Sequence, residues 1–166
     1  MKIVVSRCLL GETCRYDARS SDDLRRTLTK AGFTSSDIVS ICPDSDGGMT
    51  TPRLPSEIQG GDGADVLAGR ARVLMKNGTE STEYFVKGAR LALDAAKAAN
   101  CHLALLKAKS PSCGCGRVYD GTFSGTLRPG DGVTVALFKK HGIRVVSEQD
   151  FVSLFPLGED EDGRDC

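Results

Sequence analysis

Seven cysteines are the residues of this chain best equipped for chemistry, and three of them share one local setting. Cys8 follows the apolar run Ile3-Val4-Val5-Ser6, and Cys42 ends Ile38-Val39-Ser40-Ile41. Cys113 lies just past Leu103-Ala104-Leu105-Leu106-Lys107, inside Ser110-Pro111-Ser112-Cys113-Gly114-Cys115-Gly116. Thiolates are soft donors that select zinc and iron–sulfur clusters. A structural zinc site normally shows paired C-x-x-C knuckles, and the chain has none. Three thiolates on separate loops suit a cubane with one iron left open, whereas an electron-transfer cluster ordinarily uses four closely spaced cysteines. An open iron is a Lewis acid with affinity for sulfur. Spacing alone leaves two readings: a metal site at Cys8, Cys42 and Cys113, or a set of reactive or structural thiols.

The other thiols read differently. Cys101, at a helix-to-strand junction, is expected to be a small buried hydrophobe, and Cys166 an inert terminal thiol. Cys14 and Cys115 fall near the predicted site, but their spacing assigns them no ligand role. The start Met1-Lys2-Ile3-Val4-Val5 is too short an apolar run for a signal-peptide core, and no stretch approaches a membrane span. A cytoplasmic protein is expected, where thiols stay reduced and an odd cysteine count argues against a disulfide framework. Lys plus Arg and Asp plus Glu number 22 each, so no overall field attracts nucleic acid or membrane. A small ligand is the more natural partner.

The elements that must position these thiols alternate. Lys2–Ser6 reads as a buried parallel strand. Ser20 or Ser21 is expected to cap a helix with Asp22 and Asp23 in its first turn, running through Leu24 and Leu28 to Gly32. Asp37–Ile41 is the second strand. The loop from Pro43 to Pro55 has paired glycines and three prolines against regular structure, and Ala64–Lys76 reads as a hairpin or excursion. A long helix over Glu80–Ala99 is capped by Thr79, and Leu103–Lys107 is the third strand. Gly116–Gly132 is turn-rich, Asp131 caps a helix to Lys140, and Ile143–Ser147 is the fourth strand. The result is one α/β domain over 1–150, a Rossmann-like or flavodoxin-like open, mostly parallel sheet with helices on both faces. A tail over 151–166 is expected to be disordered at its acidic end. Ligands bind such sheets outside the carboxyl ends of the strands, where Cys8, Cys42 and Cys113 all map.

Five stretches carry a resemblance. Val5-Ser6-Arg7-Cys8-Leu9-Leu10-Gly11, Arg15-Tyr16-Asp17, Cys42-Pro43-Asp44 with Gly47-Gly48 and Thr51-Pro52-Arg53, Lys107-Ala108-Lys109-Ser110-Pro111-Ser112-Cys113-Gly114, and Tyr119-Asp120-Gly121-Thr122-Phe123-Ser124-Gly125 together resemble the DUF523 family, that of the thiouracil desulfidases. The resemblance runs from Met1 to about Glu148. It implies a 4Fe-4S cluster held by Cys8, Cys42 and Cys113, with one iron not bound by protein and open to the substrate's thione sulfur. The implied reaction is non-redox removal of sulfur from 2-thiouracil, 4-thiouracil or 4-thio-UMP, releasing hydrogen sulfide. The alternative is an iron–sulfur sulfide carrier or sensor without hydrolytic activity. Two departures stand out: the family commonly has Cys-Pro-Glu where this chain has Cys42-Pro43-Asp44, and a non-thiol residue at the place of Cys115.

On this reading Asp44 is the general base, helped by a hydroxyl from Ser110 or Ser112. Arg15 and Asp17 are expected to form a loop-locking ion pair. Arg53 and Lys107 are left open between cluster, phosphate and solvent. Glu57 is expected to cap a helical turn, and His102 and His141 to be structural. A free thiolated pyrimidine or its nucleotide is expected as partner, without nucleic acid polymer or membrane; oligomeric state is open.

Overall fold

A computed structural model describes residues 1–19, 21 and 23–154 of the chain. Its elements, in order, are β1 (Ile3–Ser6), α1 (Arg25–Lys30), β2 (Ile38–Ile41), α2 (Pro43–Asp46), β3 (Ser56–Gln59), α3 (Gly63–Leu67), β4 (Arg72–Met75), α4 (Thr82–Ala98), β5 (Leu103–Leu106), β6 (Arg117–Tyr119), β7 (Leu127–Pro129), α5 (Val133–Lys140), β8 (Arg144–Ser147) and α6 (Glu148–Leu154). The β-branched and leucine-rich runs form a four-stranded sheet in the order β2-β1-β5-β8, every pair parallel. This is the α/β fold expected. Short antiparallel pairs β3-β4 and β6-β7 stand outside it.

Alternation along the strands divides the core between the two faces of the sheet. Val4, Ala104, Leu106 and Val145 pack with Ala92, Leu93 and Ala96 of α4 and Phe138 of α5. Ile3, Val5 and Leu105 pack on the other side with Leu24, Leu28 and Phe151, so α1 and α6 cover that face. Along α4 the buried residues Phe85, Gly88, Ala89, Ala92, Leu93 and Ala96 follow the helical period. Among the described residues no helix is long and apolar enough to cross a membrane.

Several local expectations are corrected. The first helix begins only at Arg25, because the Leu24 amide bonds the Leu9 carbonyl and Asp23 turns back to the Arg25 amide. Ser20 and Asp22 lie outside the described residues. The loop after Cys42 is helical at first: Pro43 fits the opening turn of α2 because the missing N–H has no partner to lose there. The excursion resolves as the hairpin β3-β4 with α3 between its strands. Ser81, not Thr79, precedes α4, since the Thr79 carbonyl and Glu80 are taken by the end of β4. Gly132 rather than Asp131 flanks α5; the Asp131 carboxylate accepts from the Gly116 amide and Lys139 instead. α6 continues the chain to Leu154 with Phe151 in the core, and the expected acidic tail, with Cys166, lies outside the described residues.

Candidate active site

The chain leaves β1 for β2 on one side and returns to β5 on the other, so strand order switches beside β1. Loops after these strands diverge there and leave a crevice. It holds a cavity of about 470 Å³ lined by Cys8, Cys42 and Cys113 together with Cys14, Asp44 and Ser110. The topology thus gathers the three expected thiols and two of the three expected catalytic residues into one space. That volume is in the range of small-ligand pockets.

The thiols differ electrostatically. The Cys42 thiol is pulled down to about 6, first by the Cys14 thiol beside it and then by the hydroxyl and amide of Ser45, against the effect of burial. Cys8 is also lowered, again chiefly by Cys14. The Ser21 hydroxyl adds to that effect. Cys14, lying between the two as donor, is held up as a thiol. Burial, then the Asp44 carboxylate, pushes the Cys113 thiol well up. A bound cation reverses that order, because a coordinating thiol is deprotonated outright.

Asp44 owes its place to a backbone-on-backbone contact. Gly47 and Gly88 let α2 lie directly on α4; a Cβ on either would run into the carbonyl of Tyr84 or of Pro43. Arg53, with its side chain 6% exposed, reaches Asp44, itself 19% exposed, at 3.1 Å. The same guanidinium donates to the Cys14 carbonyl at 3.2 Å, the Thr50 carbonyl at 3.2 Å and the Thr51 hydroxyl at 3.1 Å. Arg53 therefore staples Asp44 to the loops around it. Burial pushes the Asp44 carboxyl up, while Arg53 and the Ser112 hydroxyl hold it back.

The cysteine-rich stretch is a turn docked on the start of α5. Its Ser110 hydroxyl accepts the Cys113 amide at 2.7 Å, and the Gly132, Val133 and Thr134 amides bond the Gly114, Pro111 and Ser112 carbonyls at 2.7–2.9 Å. Ser112 is buried behind the cavity wall, paired with the Thr134 hydroxyl at 2.9 Å. Cys115 sits outside the cavity, its thiol 3.8 Å from the Val145 carbonyl. Cys101 is buried in the core, as expected.

Arg15 and Asp17 do pair, at 3.7 Å, and Arg15 lines the cavity. Lys107 is taken by Glu148 at 2.6 Å, whose other oxygen accepts the Ala108 amide. Neither His102 nor His141 lines the cavity. Glu57 caps no helix: it is on β3, buried, with its carboxylate turned to the Tyr119–Gly125 loop. Sequence reasoning missed that carboxylate and the adjacency of Cys14 to both Cys8 and Cys42. The one available signal was a motif around 119–125 with no role attached to it.

Three thiols and a carboxylate thus meet at the switch point of a parallel sheet, the place where α/β proteins bind their ligands, and comparison with known proteins gives the family. The chain belongs to the 2-thiouracil desulfurase family, whose model matches residues 3–150. It is 43% identical over 150 residues to YbbK of Bacillus subtilis (strain 168), an uncharacterized protein, covering 89% of this chain and 96% of that one. A solved structure described as the 4Fe-4S-dependent thiouracil desulfidase TudS matches with a TM-score of 0.77 and 40% identity, over 92% of this chain and 94% of that one.

Proposed function

We propose that this protein is a non-redox desulfidase that removes sulfur from small thiolated pyrimidines, 2-thiouracil, 4-thiouracil or 4-thio-UMP, at a 4Fe-4S cluster ligated by Cys8, Cys42 and Cys113. The observation that carries this reading is the meeting of those three thiols and Asp44 in one cavity. The donor set fits. Among the described residues no three His, Cys, Asp or Glu side chains converge tightly enough for one metal ion. In a cubane each thiolate binds a different iron, so the sulfurs need not converge. The description of the solved relative as a 4Fe-4S-dependent thiouracil desulfidase supports the same cofactor and substrate class. Thiols that must stay reduced favour the cytoplasm, and equal totals of 22 acidic and 22 basic residues favour a small molecule over a nucleic acid polymer.

When bound, the cluster supplies a Lewis acid for the thione sulfur at an iron that no protein group ligates. The chain's own residues do the rest. Asp44 takes a proton from the water that adds to the thione carbon and returns it toward the departing sulfur. Arg53 keeps that carboxylate oriented, and burial makes it a stronger base than a solvated one. Ser110 closes the wall beside Cys113, and Ser112 acts behind Asp44 as a positioning residue. One water enters, carbon–sulfur becomes carbon–oxygen, and hydrogen sulfide leaves with no change in oxidation state.

The test is anaerobic purification, iron analysis and a sulfide-release assay. We expect a brown protein with about four irons per chain and sulfide release from thiouracils. Asp44→Asn should keep the chromophore and lose at least roughly 10²-fold in rate. A colourless, iron-free protein after reconstitution would end the proposal, and a full cluster without turnover would point to a sulfide carrier or sensor.

A further inference from the structure

The segment Tyr119–Gly125 belongs to the family motifs, yet no step described above uses it. It follows β6, and Tyr119, Phe123 and Gly125 all line the thiol cavity. Phe123 has φ 56, left-handed backbone that bulky residues seldom adopt. Such a conformation persists only where the surroundings over-determine it. Here the surroundings are specific. Glu57 on β3, 7% exposed, accepts the Gly121 amide at 3.0 Å and the Phe123 amide at 3.3 Å through one oxygen. Gln59 of the same strand donates to the Gly121 carbonyl at 3.0 Å. Gly121 lies so near β3 that a Cβ would stand 2.6 Å from the Ile58 carbonyl oxygen.

A carboxylate buried on a strand is unfavourable unless hydrogen-bonded, and the bonds of Glu57 run to this loop, 64 and 66 residues away in sequence. The outcome is that the Phe123 ring, on a loop tied to β3, stands in the wall of the same cavity that the three thiols and Asp44 line. A flat heterocycle with its sulfur end toward the cluster that the thiols would hold needs a face to lie on, and a phenyl ring is such a face whatever the hydrogen-bond pattern of the base.

We infer that Phe123 is the plate on which the pyrimidine ring stacks and that Glu57 is the positioning residue that aims it. The inference rests on the pyrimidine desulfidase reading. Ring stacking is made equally in the ground and transition states, so its loss raises KM and leaves kcat.

The experiment uses the cluster-loaded enzyme, with sulfide release from 2-thiouracil and calorimetric titration of uracil, the sulfur-free product. Phe123→Ala should raise KM roughly 10-fold, the effect of removing one base–aromatic stack, and weaken uracil by a similar factor. The kcat and the cluster absorbance should hold, and Phe123→Tyr should restore binding. Glu57→Ala should act in the same direction, and Glu57→Gln, which keeps an acceptor oxygen, should recover most of the loss. Unchanged KM and uracil affinity in Phe123→Ala overturn the inference, as does a fall in kcat at constant KM. If the wild type releases no sulfide, the desulfidase reading fails by itself. Uracil titration then still decides: affinity lost in Phe123→Ala supports the stack, and affinity retained, or no uracil binding by the wild type, overturns it.

Discussion

Replacing Gly88 by alanine tests what positions the site. Gly88 is mid-α4 and faces α2, whose first residue Pro43 stands between Cys42 and Asp44. A Cβ there would lie 2.6 Å from the Pro43 carbonyl carbon and 3.1 Å from its Cα, with the carbonyl oxygen nearer still. Ordinary contact is 3.4–4 Å, so relief requires α2 to move off α4 by at least about 1 Å. Gly47 blocks a slide in place of a lift, because it already rests on the Tyr84 carbonyl. Two effects compete. Alanine favours the helix interior over glycine by about 1 kcal/mol, and overpacking costs about 1–3 kcal/mol. Backbone cannot yield as a side-chain tip can, so the cost should win, and stability should fall by up to about 2 kcal/mol.

The functional loss should be larger than that. A displacement of about 1 Å at a reacting group reduces rate by roughly 10²-fold, and both Cys42 and Asp44 ride on α2. Thermal unfolding, iron per chain and initial sulfide-release rate of Gly88→Ala measure the three effects together, with Leu91→Ala on the exposed side of α4 as a control that should change none of them. A Gly88→Ala protein with wild-type iron and wild-type rate would refute the argument that this contact sets the site.

Other perturbations separate roles in the same cavity. Arg53→Met leaves the Asp44 carboxylate buried without its cation, so denaturant unfolding should show a loss of about 3 kcal/mol, part of it regained in the double variant with Asp44→Asn. Cys8→Ala, Cys42→Ala and Cys113→Ala should each abolish the cluster chromophore, whereas Cys14→Ser and Cys101→Ser should keep both iron and turnover. Loss of iron in Cys14→Ser would mean a fourth protein ligand and would sink the open-iron mechanism. The Thr34 amide and hydroxyl hold the Asp37 carboxyl below its ordinary 3.8. Its folded value is the lower one, so its contribution to stability is present above 3.8 and is lost as pH falls through the folded value. The Tm gap between wild type and Asp37→Asn should therefore be seen near neutral pH and close in strong acid.

The sheet was legible because its signal is local: Ile3–Ser6, Ile38–Ile41, Leu103–Leu106 and Arg144–Ser147 are short runs built on β-branched and leucine residues, too short for helices. The shared edge for Cys8, Cys42 and Cys113 followed from chain connectivity alone. What stayed hidden depends on contacts across long separations. Nothing near Glu57 in sequence announces that its partners are the amides of Gly121 and Phe123. Arg53 had three equally good uses until the fold put Asp44 and the Cys14 carbonyl within its reach. Ser110 and Ser112 look alike in sequence, but the turn points one hydroxyl at the Cys113 amide and buries the other against Thr134. Helix starts failed for the related reason that neighbours consumed the capping groups, as β4 does with Thr79 and Glu80.

These cross-links bear on what the proposed cluster would do for the fold. The loops holding the thiols are joined by protein bonds at every seam. Arg7 bonds Asp46 at 3.2 Å and Arg53 bonds the Cys14 carbonyl, tying the segment after β1 to that after β2. The Ser6 hydroxyl accepts the Lys107 amide at 3.0 Å, tying the ends of β1 and β5, and Glu148 fixes Lys107 and Ala108 to α6. Zinc fingers behave differently, because metal ligation replaces a core they lack and the metal-free chain unfolds. Here the proposed ligands sit on the rim of a sheet whose two faces are already packed. Removing iron anaerobically with a chelator should therefore leave far-ultraviolet dichroism and cooperative unfolding in place, lower Tm by no more than the binding linkage requires, and abolish only sulfide release. An iron-free chain that melts without a cooperative transition would show that the cluster, and not these seams, holds the three loops together.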